Sequence, residues 1–330
     1  MIANEAHDLV VEDVFLRIDE YVPGSSGFLK IEACNPAGSI KIKTAVALVE
    51  EAEKAGCIRP RTRLIESTSG NLGIALSVIC AAKGYPLTCV TDPNTNAQSI
   101  RMMEALGTEV VVISRRDRNG GYLNSRIEYI RLRMLRDPTL HWLNQYANPA
   151  GVEAHRARTG RAVVEQFDRV DELFIAAGTT GTLMGCASYL RQHSPRTRIV
   201  AVDVEGSVIF GGPPGRRCVP GMGASRRPEI LDETLTDQVV VVSEADTVQA
   251  CRALAKERGL LAGGSTGSVL AALRRESRRI PHGSVVVAIS PDLGMHYLDT
   301  IYDDEWVARR WPHLLAAGTP APAAKDVSRV

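Results

Sequence analysis

The sequence has almost no excess charge of either sign. Lys+Arg is 39 and Asp+Glu is 38, a formal net charge of +1. That balance removes the usual electrostatic basis for nucleic acid or an anionic membrane as the main partner. No uninterrupted apolar run approaches the ~20 residues of a transmembrane helix. The opening stretch, MIANEAHDLVVEDV, carries acids where a signal peptide has basic residues and then an apolar run. Together these absences predict a cytoplasmic protein. Paired cysteines are also missing. The seven (Cys34, Cys57, Cys80, Cys89, Cys186, Cys218, Cys251) are scattered, and no C-x-x-C occurs, so neither a zinc site nor a disulfide framework is expected. Several lie in apolar stretches and read as buried free thiols. The seven histidines are dispersed with no H-E-x-x-H pattern, so no metal is expected. The chain also lacks G-x-G-x-x-G after a strand and G-x-x-x-x-G-K-[ST]. Those absences set aside a nicotinamide dinucleotide site and a P-loop.

What is present is a globular composition, 45% hydrophobic and 23% charged over 330 residues. At about 150 residues per domain, that length suggests two domains or one large one. Apolar periodicity and glycine stops predict helices at 39–55, 72–83, 97–106 and 121–136, and a further one from Pro149 to about 167. Later helices are predicted at 183–192 and 243–259, the last capped by Ser243 and stopped by Gly259. Short β-rich runs predict strands at 62–66, 87–91, 109–113, 172–178, 198–204, 238–243 and 284–290. Alternation of this kind implies parallel sheets covered on both faces. Residues 205–228 interrupt it with six glycines, four arginines and several prolines, the make-up of a long functional loop. The Ala/Pro-rich tail, 316–330, is expected to be disordered.

Three glycine-rich turns fall at strand-to-helix junctions: Ser67-Thr68-Ser69-Gly70-Asn71, Gly178-Thr179-Thr180-Gly181-Thr182 and Gly263-Gly264-Ser265-Thr266-Gly267. Helix N-termini present unpaired N–H groups and partial positive charge, and glycine lets an anion approach them. In open α/β sheets such junctions lie at the carboxyl ends of the strands, where ligands bind. One such turn can be a simple cap, but three together favour a site for phosphate and carboxylate groups. A fourth segment, Asn35-Pro36-Ala37-Gly38-Ser39-Ile40-Lys41, puts a lysine just inside a helix. The helix dipole disfavours an ammonium there, and a lysine of lowered pKa is the amine a Schiff base needs. The alternative is that Lys41 and Lys43 are solvated helix-face residues.

N-P-A-G-S-I-K, S-T-S-G-N-L-G, G-T-T-G-T and G-G-S-T-G in this order resemble the fold-type II pyridoxal-phosphate enzymes (tryptophan synthase β-like), nearest to cysteine synthase and cystathionine β-synthase. The resemblance runs from about Phe15 to Tyr302. It implies two open α/β domains with mainly parallel sheets: a smaller mobile one at 38–148 and a larger cofactor-binding one from 1–37 and 149–315. It also implies a homodimer. Lys41 would form the Schiff base with pyridoxal 5'-phosphate and move the α-proton. Asn71 would bond the ring hydroxyl, and Gly178, Thr179, Thr180, Gly181 and Thr182 would cradle the phosphate. Thr68, Ser69 and Asn71, helped by Gln145, would bind the substrate carboxylate. Ser265 would face the pyridine nitrogen. A serine cannot hold that nitrogen protonated, which suits loss of a β-substituent through an α-aminoacrylate rather than transamination.

Ala37 replaces a usual glycine, Ile42-Lys43 replace Asp-Arg, and Thr180 stands where a glycine is usual. Lys43 lies ~200° around the helix from Lys41 and should point away. These departures resemble the subgroup that makes 2,3-diaminopropionate for siderophores and peptide antibiotics. Its members join O-phospho-L-serine to L-glutamate, and a pathway oxidase then acts on the product. Arg216 and Arg217, adjacent on the long loop, suit a phosphate leaving group, unless both are simply solvated. Arg101 is a weaker second candidate. Within the family the second reading is a cysteine synthase using sulfide. A different class, a non-catalytic binding protein on this scaffold, is disfavoured because Lys41, Asn71, Gln145 and Ser265 are all present.

Overall fold

The computed structural model describes residues 2–68, 70–118 and 120–316. The first half runs β1 (Phe15–Arg17), β2 (Ser26–Ile31), α1 (Lys41–Lys54), β3 (Arg63–Ser67), α2 (Asn71–Lys83), β4 (Leu87–Thr91), α3 (Ala97–Ala105), β5 (Glu109–Val112), α4 (Leu123–Arg136) and β6 (Leu140–Trp142). The second runs α5 (Ala150–Ala154), α6 (Arg161–Gln166), β7 (Glu172–Ala176), α7 (Gly181–His193), β8 (Arg198–Val204), β9 (Gln238–Val242), α8 (Glu244–Arg258), α9 (Gly264–Glu276) and β10 (Val285–Ser290). Two sheets result. A six-stranded one has the order β1-β2-β10-β7-β8-β9, and a four-stranded one has the order β5-β4-β3-β6. All pairings are parallel except β1 with β2.

Side chains alternate faces along a strand, so a strand covered on both sides must be apolar throughout. Strand β8 does this: Val200 and Val202 enter one core, Ile199 and Ala201 the other. Strand β10 divides likewise, with Val286 and Ala288 on one face and Val287 and Ile289 on the opposite one. In the smaller sheet Leu64 and Cys89 pack beneath α1 and α2, while Ile65 and Val90 pack against Ile130 of α4. Four of the cysteines, Cys80, Cys89, Cys186 and Cys251, are buried free thiols, and Cys34 and Cys57 are exposed.

The predicted ends hold where capping chemistry sets them. Ser243 Oγ accepts from Asp246 N at 3.1 Å, and Gly259 closes α8 at φ 68°. Three strands carry no signal in the periodicity: β1 and β6 are three residues each, and β2 sits in a Gly/Ser-rich context. The helix predicted from Pro149 is broken internally by a π turn at His155–Gly160. No helix among the described residues is long and apolar enough to cross a membrane. Residues 317–330, within the tail expected to be disordered, lie outside the described residues.

Candidate active site

Parallel strands bring their carboxyl ends to one edge, and here the helices that follow begin at a shared cleft. Lys41 is the first residue of α1 and Asn71 the first of α2. Gly178 and Thr179 follow β7 and precede α7. The cleft is lined by Lys41, Thr68, Asn71, Gln145, Gly178, Thr179, Arg216 and Arg217, among others. Residues separated by up to 256 positions in sequence, Lys41 and Tyr297, thus face one space, as the strand topology dictates. Gly178 lets the chain pass close: a Cβ there would lie 3.1 Å from the carbonyl oxygen of Gly221, tight enough that the loop would have to give by a few tenths of an ångström.

Lys41 has its Nζ 3.5 Å from Thr179 Oγ1 and forms no salt bridge among the described residues. Burial lowers its pKa to about 8, and the carboxylate of Asp292 partly opposes that shift. Desolvation is therefore the main cause, where the helix dipole had been the expectation. Lys43 is not solvated. It points the other way and is fully buried, with Nζ 2.7 Å from Glu32 Oε2, while Lys30 holds Glu32 Oε1 at 2.7 Å. This buried pairing removes Lys43 as a competing amine.

Around Lys41 the hydroxyls and amides are already oriented. Thr68 Oγ1 accepts from Gly70 N at 3.2 Å and Gly73 N at 3.0 Å, which leaves its own O–H to donate elsewhere. Gln145 is buried, with Nε2 donating to Ser67 O at 2.7 Å and its backbone N donating to Glu66 Oε2 at 3.3 Å. Thr180 adopts φ 66°, and its buried Oγ1 has no hydrogen-bond partner among the described residues. Thr182 Oγ1 instead lies 3.3 Å from His155 Nε2, a ring that burial and nearby cations keep neutral. Ser265 does not line the cleft directly; a Cβ on Gly221 would lie 3.1 Å from its Oγ. Ser69 lies outside the described residues.

A half-buried amine held in no salt bridge among the described residues, with an unmet hydroxyl at a helix N-terminus nearby in the chain fold, fits a cofactor that brings both an aldehyde and a phosphate. The two loop arginines divide. Arg216 is exposed at the cleft mouth, while Arg217 turns inward with Nη1 buried and without a hydrogen-bond partner among the described residues. Arg101 is exposed on α3 and is not among the cleft residues.

Sequence reasoning passed over Arg126, whose Nε and Nη1 are buried without hydrogen-bond partners among the described residues and whose Nη1 lies 3.5 Å from Asp92 Oδ2. It carries no local signal, because an arginine on α4 becomes a cleft residue only through packing. Asp292 was also passed over, although its place just beyond the end of β10 matches the rule that ligands bind at strand carboxyl ends.

Residues 17–292 match the family model described as "Pyridoxal-phosphate dependent enzyme". An N-(2-amino-2-carboxyethyl)-L-glutamate synthase from Ralstonia nicotianae is 42% identical over 312 residues, covering 94% of this chain and 92% of that protein. Among solved structures, an O-ureido-L-serine synthase superposes with a TM-score of 0.85 at 29% identity, covering 93% of this chain and all (100%) of that one. An O-acetylserine-dependent cystathionine β-synthase from Helicobacter pylori gives 0.84 at 29% identity, covering 92% and 100%. Matched sequence, shared fold and a cleft built around a half-buried lysine converge: the chain is a member of the pyridoxal-phosphate-dependent enzymes, with that cofactor and with the fold-type II architecture.

Proposed function

We propose that the protein replaces the phosphate of O-phospho-L-serine by the amino group of L-glutamate, giving N-(2-amino-2-carboxyethyl)-L-glutamate and phosphate. The observation that carries this reading is the charge of the cleft. Arg116, Arg126, Arg216, Arg217 and Lys41 line it, against the single carboxylate of Asp92 among the described residues. Phosphoserine brings a phosphate and a carboxylate, and glutamate brings two carboxylates. Sulfide and acetylserine would need far less positive charge. The likeness to the Ralstonia N-(2-amino-2-carboxyethyl)-L-glutamate synthase supports the same product.

Pyridoxal phosphate, when bound, supplies the electron sink through which an amino acid loses its α-proton and its β-substituent. The chain does the rest. Thr68 and Asn71, with Gln145 behind them, orient the substrate carboxylate. Thr179, Thr180 and the N–H groups opening α7 hold the cofactor phosphate, and Ser265 faces the ring nitrogen. Lys41 takes the α-proton on Nζ. Arg217 and Arg126 receive the departing phosphate, because guanidinium N–H groups left unmet in a buried wall gain most from an anion. Residues 38–148 form the lobe that closes over substrate, and two chains assemble as a homodimer. A pathway oxidase would act on the adduct.

The test is product analysis by mass spectrometry. Phosphoserine or acetylserine is offered with glutamate, ammonia or sulfide to the PLP-loaded protein. Adduct from phosphoserine and glutamate is the expected result. Efficient cysteine formation without a glutamate adduct would return the chain to the cysteine synthases.

A further inference from the structure

The last strand of the larger sheet delivers a carboxylate that the chemistry above leaves unused. Asp292 lies two residues past β10 and is buried. Backbone contacts fix it: Ser39 forms an antiparallel bridge with it, Ile40 N donates to Pro291 O at 2.7 Å, and Gly263 N donates to Asp292 O at 3.1 Å. Ser39 and Ile40 immediately precede Lys41, so the same contacts anchor the start of α1. The side chain is gripped by two donors. Tyr297 OH donates to Oδ2 at 2.5 Å, and Asn71 Nδ2 donates to the same oxygen at 2.7 Å. Oδ1 is buried without a hydrogen-bond partner among the described residues.

An unmet buried acceptor is costly to the fold, and such groups persist where a site needs their charge. The titratable groups facing this carboxylate are Lys41 from α1, His296 and Tyr297 from the turn after β10, Cys251 from α8, and Tyr302. Lys41, Asn71 and Tyr297 all line the same cleft. Burial alone would leave the lysine amine a ready nucleophile and a poor holder of protons. A carboxylate close by restores the second capacity.

We propose that Asp292, clamped by Tyr297, is a positioning residue whose charge stabilises the protonated form of Lys41 and whose Oδ2 aims the amide of Asn71. This rests on the reading of Lys41 as the amine that binds the cofactor and moves the α-proton.

The test uses the full-length chain without cofactor. Acetylation of Lys41 by acetic anhydride is followed against pH by mass spectrometry of the peptide that contains it. In Asp292→Asn the midpoint should fall by about one pH unit. Asp292→Ser, shorter and relieved of its close packing against Gly263, should shift it the same way. Tyr297→Phe keeps the charge and should leave the midpoint in place. An unmoved or raised midpoint in a folded Asp292 variant overturns the proposal, as does an equal loss of melting temperature in all three variants with no change at Lys41. Failure of the underlying reading looks different: Lys41→Ala, loaded with pyridoxal phosphate, would then keep a borohydride-fixable label.

Discussion

Lys41 shows how one residue changes character when the fold closes over it. Its amine titrates at about 8 rather than at 10.5, because burial penalises the ammonium. At neutral pH the uncharged fraction is therefore roughly 300-fold larger than for an exposed lysine. The rate at which cofactor-free protein captures pyridoxal phosphate should rise with pH and level off above about 8, read by stopped-flow absorbance. A midpoint near 10.5 would contradict the burial. The arginines make a second residue-level case. Arg217→Ala should raise the KM for phosphoserine roughly ten-fold or more and leave acetylserine turnover little changed. Arg216→Ala should have a much smaller effect, because that side chain remains in solvent. Initial rates with both donors separate the two. The sequence pairs these arginines as equals, and only the packing of Arg217 beneath Gly223 distinguishes them.

Helices at the level of single elements show why some glycines cannot be replaced. Gly185 lies inside α7, where glycine costs roughly 1 kcal/mol relative to alanine. Its reason is packing: a Cβ would lie 2.4 Å from Val152 O and 2.6 Å from His155 Cβ. Gly185→Ala should lower stability by roughly 1–3 kcal/mol, measured by urea unfolding, despite its better helix propensity. A gain in stability would show that α5 and the π turn yield easily. That turn was illegible in advance, since the run from Pro149 to Gln166 has ordinary helical periodicity. Its consequence is chemical. It places His155 between Thr44, Thr159 and Thr182, bonded to Thr44 Oγ1 at 2.9 Å and to Thr159 Oγ1 at 3.1 Å.

For the whole molecule, the telling group is a buried acid behind the site. Glu66 accepts from Ser67 N at 2.7 Å and Trp142 Nε1 at 3.2 Å, yet burial raises its pKa to about 7 from 4.5. Between those values the folded chain holds a proton that the unfolded chain has released. Stability therefore falls as pH rises through that window. Glu66→Gln lacks this dependence. Its unfolding free energy relative to the parent should become more positive from pH 5 to 8, by up to roughly 3 kcal/mol, in urea melts at both pH values. A difference that does not vary with pH would mean the acid is ionised throughout.

Much of this protein is decided locally. The alternation of strands and helices, the caps at Ser243 and Gly259, and the four glycine- and hydroxyl-rich turns follow from periodicity and backbone stereochemistry within a few residues. Those turns already point to phosphate and carboxylate ligands. Other features depend on neighbours far away in the chain. Strands as short as β1 and β6 exist because partners complete them. Lys43 becomes a buried ion-paired residue only when β2 brings Glu32 beneath α1. The lowered pKa of Lys41, its sharing of one cleft with Arg126 and Arg217, and the bond from Asn71 to Asp292 come from desolvation and long-range packing, which no local pattern encodes.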